Sequence, residues 1–341
     1  MPTKKPTPKP ITLNEEQQAV VEFQNGFAAV YAGPGSGKSL AITQRYARLI
    51  KDGNDPNSTV SLSFTNTAAK NLRDRVEAQV GKIELTRTAG AVTFHSLALQ
   101  FSQKERDVFP FTIAEFPLCP EPVAAKIAGD VARRHEIDGR TLRPAVSLWR
   151  RGRISPTQAI RNSEDRLDSK KLKLALAYKG YDTKLRENGL LDFDSLIYYM
   201  VDILSKKPEV RERWSYQFVM ADEAQDNCQN DWELLRLLSA KHGNLLCVGD
   251  PGQTIFQFRG SSSKLFLNME EMFPGTKKLF LATNYRSTKS LVSFLKEIGP
   301  VPELSEKFTT PNEEGIQPEI KGFVSPGQEA AWVISQIKEN L

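Results

Sequence analysis

The sequence predicts an α/β fold with a parallel sheet, interrupted by a helical insertion, and three observations carry that prediction. A glycine-rich loop, Ala32-Gly33-Pro34-Gly35-Ser36-Gly37-Lys38-Ser39, sits between an apolar run at 27–31 and a segment whose apolar residues Leu40, Ile42, Tyr46, Leu49 and Ile50 fall roughly at helical spacing. Short apolar runs then alternate with helix-length amphipathic segments, the pattern of strands joined by crossover helices. Between about 105 and 190 the strand signals fade and helical ones dominate, broken by Pro117, Pro120, Pro144 and Pro156, before the alternation resumes.

In order, residues 1–10 alternate Pro with Thr and Lys and read as an extended tail outside the fold. A strand is predicted near 27–31, a helix near 38–51, a strand at 60–64, a helix near 67–80, a strand at 91–94 and a helix near 95–104. Beyond the helical stretch, strands are predicted at 217–221 and 244–248, running into Asp222-Glu223 and Gly249-Asp250. A last strand is predicted at 319–323, followed by a helix reaching Leu341. In open parallel sheets the ligand lies beyond the carboxyl ends of the strands, so Asp222, Glu223 and the residues after Asp250 are expected to converge on the glycine loop.

Composition narrows the class. With 40% hydrophobic and 26% charged residues the 341-residue chain has the make-up of a globular protein long enough for two domains. No apolar run approaches the ~20 residues of a membrane span, and the first ten residues lack the apolar stretch of a signal peptide, which predicts a cytoplasmic protein without membrane contact. Cys119, Cys228 and Cys247 form no CxxC, and His95, His135 and His242 form no HExxH, so neither a structural zinc nor a disulfide framework is expected. Charge is unevenly placed: residues 133–186 hold 15 Lys and Arg against 6 Asp and Glu, while the whole chain is only +5. Such a segment suits either a polyanion or a set of solvated helix faces.

The chemistry begins at the loop. Its backbone N–H groups and the following helix N-terminus form a phosphate cradle, with Lys38 placed for the β- and γ-phosphates and the Ser39 hydroxyl for Mg²⁺. Nucleotide hydrolysis also needs a strand-end carboxylate for the metal and a group that deprotonates water, and Asp222-Glu223-Ala224-Gln225-Asp226 offers both. The competing reading makes these acids N-caps of the helical run that starts near Gln229.

Eight blocks taken together resolve the family. In order they are Leu13-Asn14-Glu15-Glu16-Gln17-Gln18, the glycine loop, Phe64-Thr65-Asn66-Thr67-Ala68-Ala69, Thr93-Phe94-His95-Ser96, Leu191-Asp192-Phe193-Asp194-Ser195-Leu196, Asp222 to Asp226, Val248-Gly249-Asp250-Pro251-Gly252-Gln253-Thr254-Ile255-Phe256-Gln257-Phe258-Arg259-Gly260, and Asn284-Tyr285-Arg286-Ser287. This series resembles the motifs of the UvrD/Rep/PcrA-like superfamily 1 DNA helicases over about residues 11–340, least across the helical stretch.

The resemblance implies two RecA-like P-loop NTPase domains that bind ATP between them and draw single-stranded DNA across their tops, with 3′→5′ polarity. It implies that Gln17 reads adenine, that residues 32–39 cradle the phosphates, and that Ser39 and Asp222 hold Mg²⁺. Glu223 is the implied general base, Gln253 the γ-phosphate sensor, Tyr285 an adenine-stacking ring and Arg286 an arginine finger. Phe64, His95, Phe193, Phe256 and Phe258 are implied to stack bases or line the strand's track, with Thr65, Asn66 and Arg259 on its backbone. Phe94 and Phe218 are expected in the core instead.

The implied organisation is a tail at 1–10, a first RecA-like domain at 11–104 and 190–280, a basic helical insertion at 105–189, and the opening of a second RecA-like domain at 281–341. Ala224 stands where the family often has an aromatic residue, Pro251-Gly252 replaces a more polar pair, and Phe256 a frequent Tyr. The family's later motifs are absent. The expected function is therefore an ATP-dependent helicase and single-strand translocase acting on single-stranded and 3′-tailed duplex DNA, truncated before its last motifs and completed by a longer chain or a partner protein. The alternative is a nucleotide-dependent single-strand-binding accessory subunit that does not unwind alone.

Overall fold

Helix α1 (Glu15–Glu22) precedes strand β1 (Phe27–Ala32); α2 (Lys38–Lys51) leads to β2 (Thr59–Ser63), α3 (Asn66–Val80) to β3 (Gly90–Thr93), and α4 (Phe94–Lys104) closes this first run. The insertion contributes α5 (Glu121–Arg134), α6 (Gly139–Arg151), α7 (Pro156–Asp165) and α8 (Ser169–Glu187). Next come α9 (Phe193–Lys206), α10 (Pro208–Arg213), β4 (Phe218–Ala221), α11 (Gln229–Ser239) and β5 (Leu245–Gly249). The short α12 (Ser263–Leu267) and α13 (Met269–Met272) lead to β6 (Lys277–Leu281), and α14 (Lys289–Ile298), α15 (Pro302–Ser305) and α16 (Pro326–Glu339) follow. The structure is a computed structural model, and it describes residues 12–85, 89–254, 261 and 263–339.

The six strands form one parallel sheet in the order β3-β2-β4-β5-β1-β6. Period-2 alternation sends Ala29 and Tyr31 of β1 to one core, with Trp232, Phe266 and Met200, and sends Ala28, Val30 and Ala32 to the other, against Ile42, Tyr46 and Leu72. Both faces are covered, as a wholly parallel sheet requires. The insertion packs a separate core of its own, built on Leu142, Val146, Tyr178, Tyr181 and Leu185. Phe94 and Phe218 are buried as expected.

The strands and helices predicted between 27 and 104 and at 217–221 and 244–248 form within a residue or so of their expected bounds. Two expectations need correction. Residues 319–323 form no strand: Ile320 is 80% exposed, and an extended segment with no neighbouring strand has nothing to stabilise it. The sixth strand is instead β6, which follows β1 in register from Ala28↔Lys277 to Ala32↔Leu281. Exposed Lys277 and Lys278 at its start hide the strand signal, and lysines of this kind belong on a sheet edge.

Candidate nucleotide site and nucleic-acid face

Sheet order makes the site. Strands β4, β5 and β1 are neighbours, so the chain leaving each of them emerges on one rim: Asp222 and Glu223 after β4, Asp250 after β5, the glycine loop after β1. The loop is shaped by left-handed glycines. Gly35 has φ +66°, and a Cβ there would lie 2.8 Å from both Asn284 Oδ1 and Arg286 Cβ. Gly37, at φ +86°, is the N-cap of α2 and brings no side chain to its first turn, which leaves those N–H groups without a side-chain cap. Ser36 Oγ donates to the Gly33 carbonyl at 2.7 Å and closes the turn from inside.

Lys38 points across the rim, its Nζ 3.8 Å from Glu223 Oε2. Glu223 sits at φ +52°, a strained backbone for a residue with a Cβ, costing on the order of 1–2 kcal/mol. Its N–H donates to Asp222 Oδ1 at 3.0 Å. Helix α11 begins at Gln229 with Cys228 as N-cap, so Asp222 and Glu223 are not its caps. Burial, reinforced by the Glu223 charge, pushes the Asp222 carboxyl up to about 6, and Lys38 offsets only part of this. Burial also raises Asp250, whose oxygens accept from Gly252 N at 3.0 Å and Gln253 Nε2 at 2.7 Å.

Gln17 is 3% exposed and its amide is spent within the protein: Nε2 donates to the Ser36 carbonyl at 3.1 Å and Oε1 accepts from Asn14 N at 3.2 Å in a capping box. The residue implied to read adenine therefore also braces the glycine loop. Tyr285, 46% exposed, donates its backbone N–H to the Gly35 carbonyl at 3.0 Å, and exposed Arg286 follows it. Ala32 and Gly33 are buried, Pro34 is half-buried and Ser39 is exposed at the mouth.

Of the residues expected to meet DNA, Phe64, Thr65, Asn66, His95 and Phe193 lie within the described residues. Phe64, Thr65 and Asn66 follow β2, which pairs with β4 and so adjoins Asp222. Thr65 Oγ accepts from Ala68 N at 3.1 Å as the N-cap of α3. His95, at the start of α4, lies ring to ring with Phe193, the first residue of α9, at 4.5 Å. Phe193 is 59% exposed. Phe256, Phe258 and Arg259 fall outside the described residues.

A family model described as UvrD/REP helicase N-terminal domain matches residues 13–274, well over half of the chain. The chain belongs to the UvrD/REP helicase family. It is 30% identical over 340 residues to the ATP-dependent DNA helicase PcrA of Staphylococcus epidermidis and 28% identical over 340 residues to that of Staphylococcus aureus. These alignments cover 96% of this chain and 46% of each relative, so the chain spans about half the length of the curated relatives it matches. Among the described residues no helix is long and apolar enough to cross a membrane.

The structure adds residues that sequence reading passed over. Gln225, 2% exposed, donates from Nε2 to Glu223 Oε2 at 3.0 Å while its Oε1 accepts from Asp250 N at 3.0 Å, tying the loop after β4 to the loop after β5. Glu16 Oε2 accepts from Ala282 N at 2.9 Å and Thr283 N at 3.1 Å. Asn284 Oδ1 accepts from Arg286 N and Ser287 N, each at 2.8 Å. The hint in each case is a polar residue inside a motif block, but its partner is fixed only by the order of the strands.

Proposed function

We propose that this chain binds ATP·Mg²⁺ on the β1–β4–β5 rim, hydrolyses it with Glu223 as general base, and uses the cycle to move along single-stranded DNA. The observation that carries the reading is the convergence of Lys38, Asp222, Glu223 and the Asp250–Gln253 pair on one left-handed glycine loop with an uncapped helix behind it. The residues suit the cofactor: the loop offers N–H groups to phosphate, and Asp222 is a buried carboxyl lacking a full counter-charge. Ser39 and Asp222 would hold the metal, whose charge, when bound, neutralises the β- and γ-phosphate oxygens.

Lys38 holds the phosphates, and Glu223 takes the proton of the attacking water. Gln225 fixes the Glu223 carboxylate through a direct hydrogen bond, and the Gln225–Asp250–Gln253 chain joins that carboxylate to the expected γ-phosphate sensor. Arg286, held against the loop through Tyr285 and Asn284, supplies positive charge to the transferring phosphoryl group. Tyr285 takes the adenine face, and Gln17 reads the adenine edge by exchanging its bonds to Ser36 and Asn14 for the base.

On the DNA side, the exposed Phe193 ring with His95, and Phe64, Thr65 and Asn66 beside them, offer stacking faces and polar groups that suit any base sequence. The relatives' names, DNA helicases both, support DNA as the track, and the motif resemblance supports 3′→5′ polarity and 3′-tailed duplexes as substrates.

Steady-state ATP hydrolysis with and without oligothymidylate tests the reading. Stimulation by the single strand, lost in Glu223→Gln while nucleotide binding persists, is the expected result. DNA-independent turnover, or turnover untouched by Glu223→Gln, would sink it. Duplexes tailed at the 3′ or the 5′ end then report polarity.

A further inference from the structure

Phe193 has little burial to hold its ring in place, yet it stands at the joint between the insertion and the sheet domain. Its two neighbours in sequence are both aspartates, and consecutive arginines at the end of α6 grip them. Arg150, 0% exposed, donates from Nη1 to Asp192 Oδ1 at 2.6 Å. Arg151 donates from Nε to Asp194 Oδ1 at 3.0 Å. Successive helical residues point about 100° apart, so one arginine reaches inward and the other lies nearer the surface, straddling the start of α9.

The inner grip is braced from every side. Arg150 Nη2 donates to Asp182 Oδ1 at 2.9 Å, Tyr181 donates to Asp192 Oδ2 at 2.9 Å, and Tyr199 donates to Asp182 at 2.9 Å. Asp192 Oδ1 also accepts from Ser195 N at 2.9 Å, making it the N-cap of α9. The outer grip faces an open cleft of about 840 Å³ that Leu148, Arg151, Phe193 and Asp194 help to line. Phe193 is thus aimed by α6 from outside its own helix.

We propose that Arg150 and Arg151 are positioning residues for nucleic-acid binding, a paired clamp through which the insertion sets the direction of the Phe193 ring. The proposal rests on the reading of Phe193 as a stacking residue. Rigid placement matters because a ring that must first be ordered gives up part of its stacking energy. The clamp also gives the insertion a mechanical route to the strand: a shift of α6 is a shift of Phe193.

The test is a double-mutant cycle on oligothymidylate affinity, read by fluorescence anisotropy across a salt series. Phe193→Ala is expected to raise Kd about 5- to 150-fold, the loss of one stacked base. Arg151→Ala and Asp194→Asn are each expected to raise it several-fold, Arg151→Lys to recover most of the loss, and Phe193→Ala/Arg151→Ala to bind no worse than Phe193→Ala alone. In Arg151→Ala and Asp194→Asn the effect falls on the half-saturating DNA concentration, not on the rate at saturating DNA. The salt slope is also unchanged, whereas a direct Arg151–phosphate contact would lower it by about 1. An additive double mutant, a fallen salt slope, or Arg151→Ala and Asp194→Asn binding like wild type while Phe193→Ala does not, each overturns the clamp. If Phe193→Ala itself binds normally, the stacking reading fails first and the clamp with it.

Discussion

Asp222 and Asp192 are both largely buried carboxylates, and their surroundings push them in opposite directions. Burial raises Asp222 to about 6, because its neighbour is another acid and Lys38 is shared with Glu223 at 3.8 Å. Burial acts on Asp192 too, but the Arg150 guanidinium at 2.6 Å and the Ser195 hydrogen bonds overcome it and hold that carboxyl below its usual range. The cluster around Arg150 balances its own charge; the rim has kept a deficit that a cation can fill. A fully paired buried ion holds geometry, and an underpaired one leaves room for a ligand.

The sharpest break in this comparison comes at the rim. Glu223→Gln is expected to cut turnover by about 10²–10⁴ with ATP affinity nearly unchanged, whereas Lys38→Ala weakens ATP binding itself, as steady-state rates and nucleotide titrations will separate. In the insertion the cost is to folding. Arg150→Ala leaves Asp182 and Asp192 buried without their cation and is expected to lose about 3–5 kcal/mol in urea unfolding, with ATP affinity preserved in the folded fraction.

Asp222 gives an effect on the order of 3 kcal/mol, and its sign is fixed. The folded carboxyl holds its proton up to about 6 while the unfolded one releases it near 3.8, so the contribution of Asp222 to the stability of the nucleotide-free protein is lost as pH rises through this window. Asp222→Asn should flatten that part of the profile, and denaturant melts from pH 4 to pH 8 measure it; an unchanged slope would refute the underpaired carboxyl. The smallest effect is expected at an exposed helix face: Ile334 on α16 is 53% exposed, so Ile334→Asp should move stability by no more than about 0.5 kcal/mol.

Local period and turn chemistry made most of the sheet legible. The loop at 32–39 announced itself, and the runs ending at Asp222 and Asp250 pointed to a shared rim because parallel strands bind ligands at one end. What stayed hidden depends on pairing across distance. Arg150 lies 32 and 42 residues from the acids it holds, and in sequence it is one more positive charge in a basic run. The structure removes part of that run from service to a polyanion, since Arg143 is paired with Glu121 and Arg151 with Asp194. Gln225 carries no role in the sequence pattern until β4 and β5 are set side by side. Residues 319–323 erred the other way, a short strand-like segment with no neighbouring strand to pair with.

Strand β6 ends at Leu281, whose carbonyl accepts from Gly33 N at 2.9 Å, and Glu16 pins the next two residues. Arg286 therefore lies only three residues past the last pinned position, about 10 Å of backbone plus its own side chain, so even with Tyr285 released from Gly35 its guanidinium strays at most ~17 Å from an anchor beside the glycine loop. One guanidinium confined to a sphere of that radius has an effective concentration on the order of 0.1 M at the γ-phosphate position. A separate protein offering the same charge in solution would have to match that figure, so whatever swing accompanies each turnover, this arginine remains a local reagent.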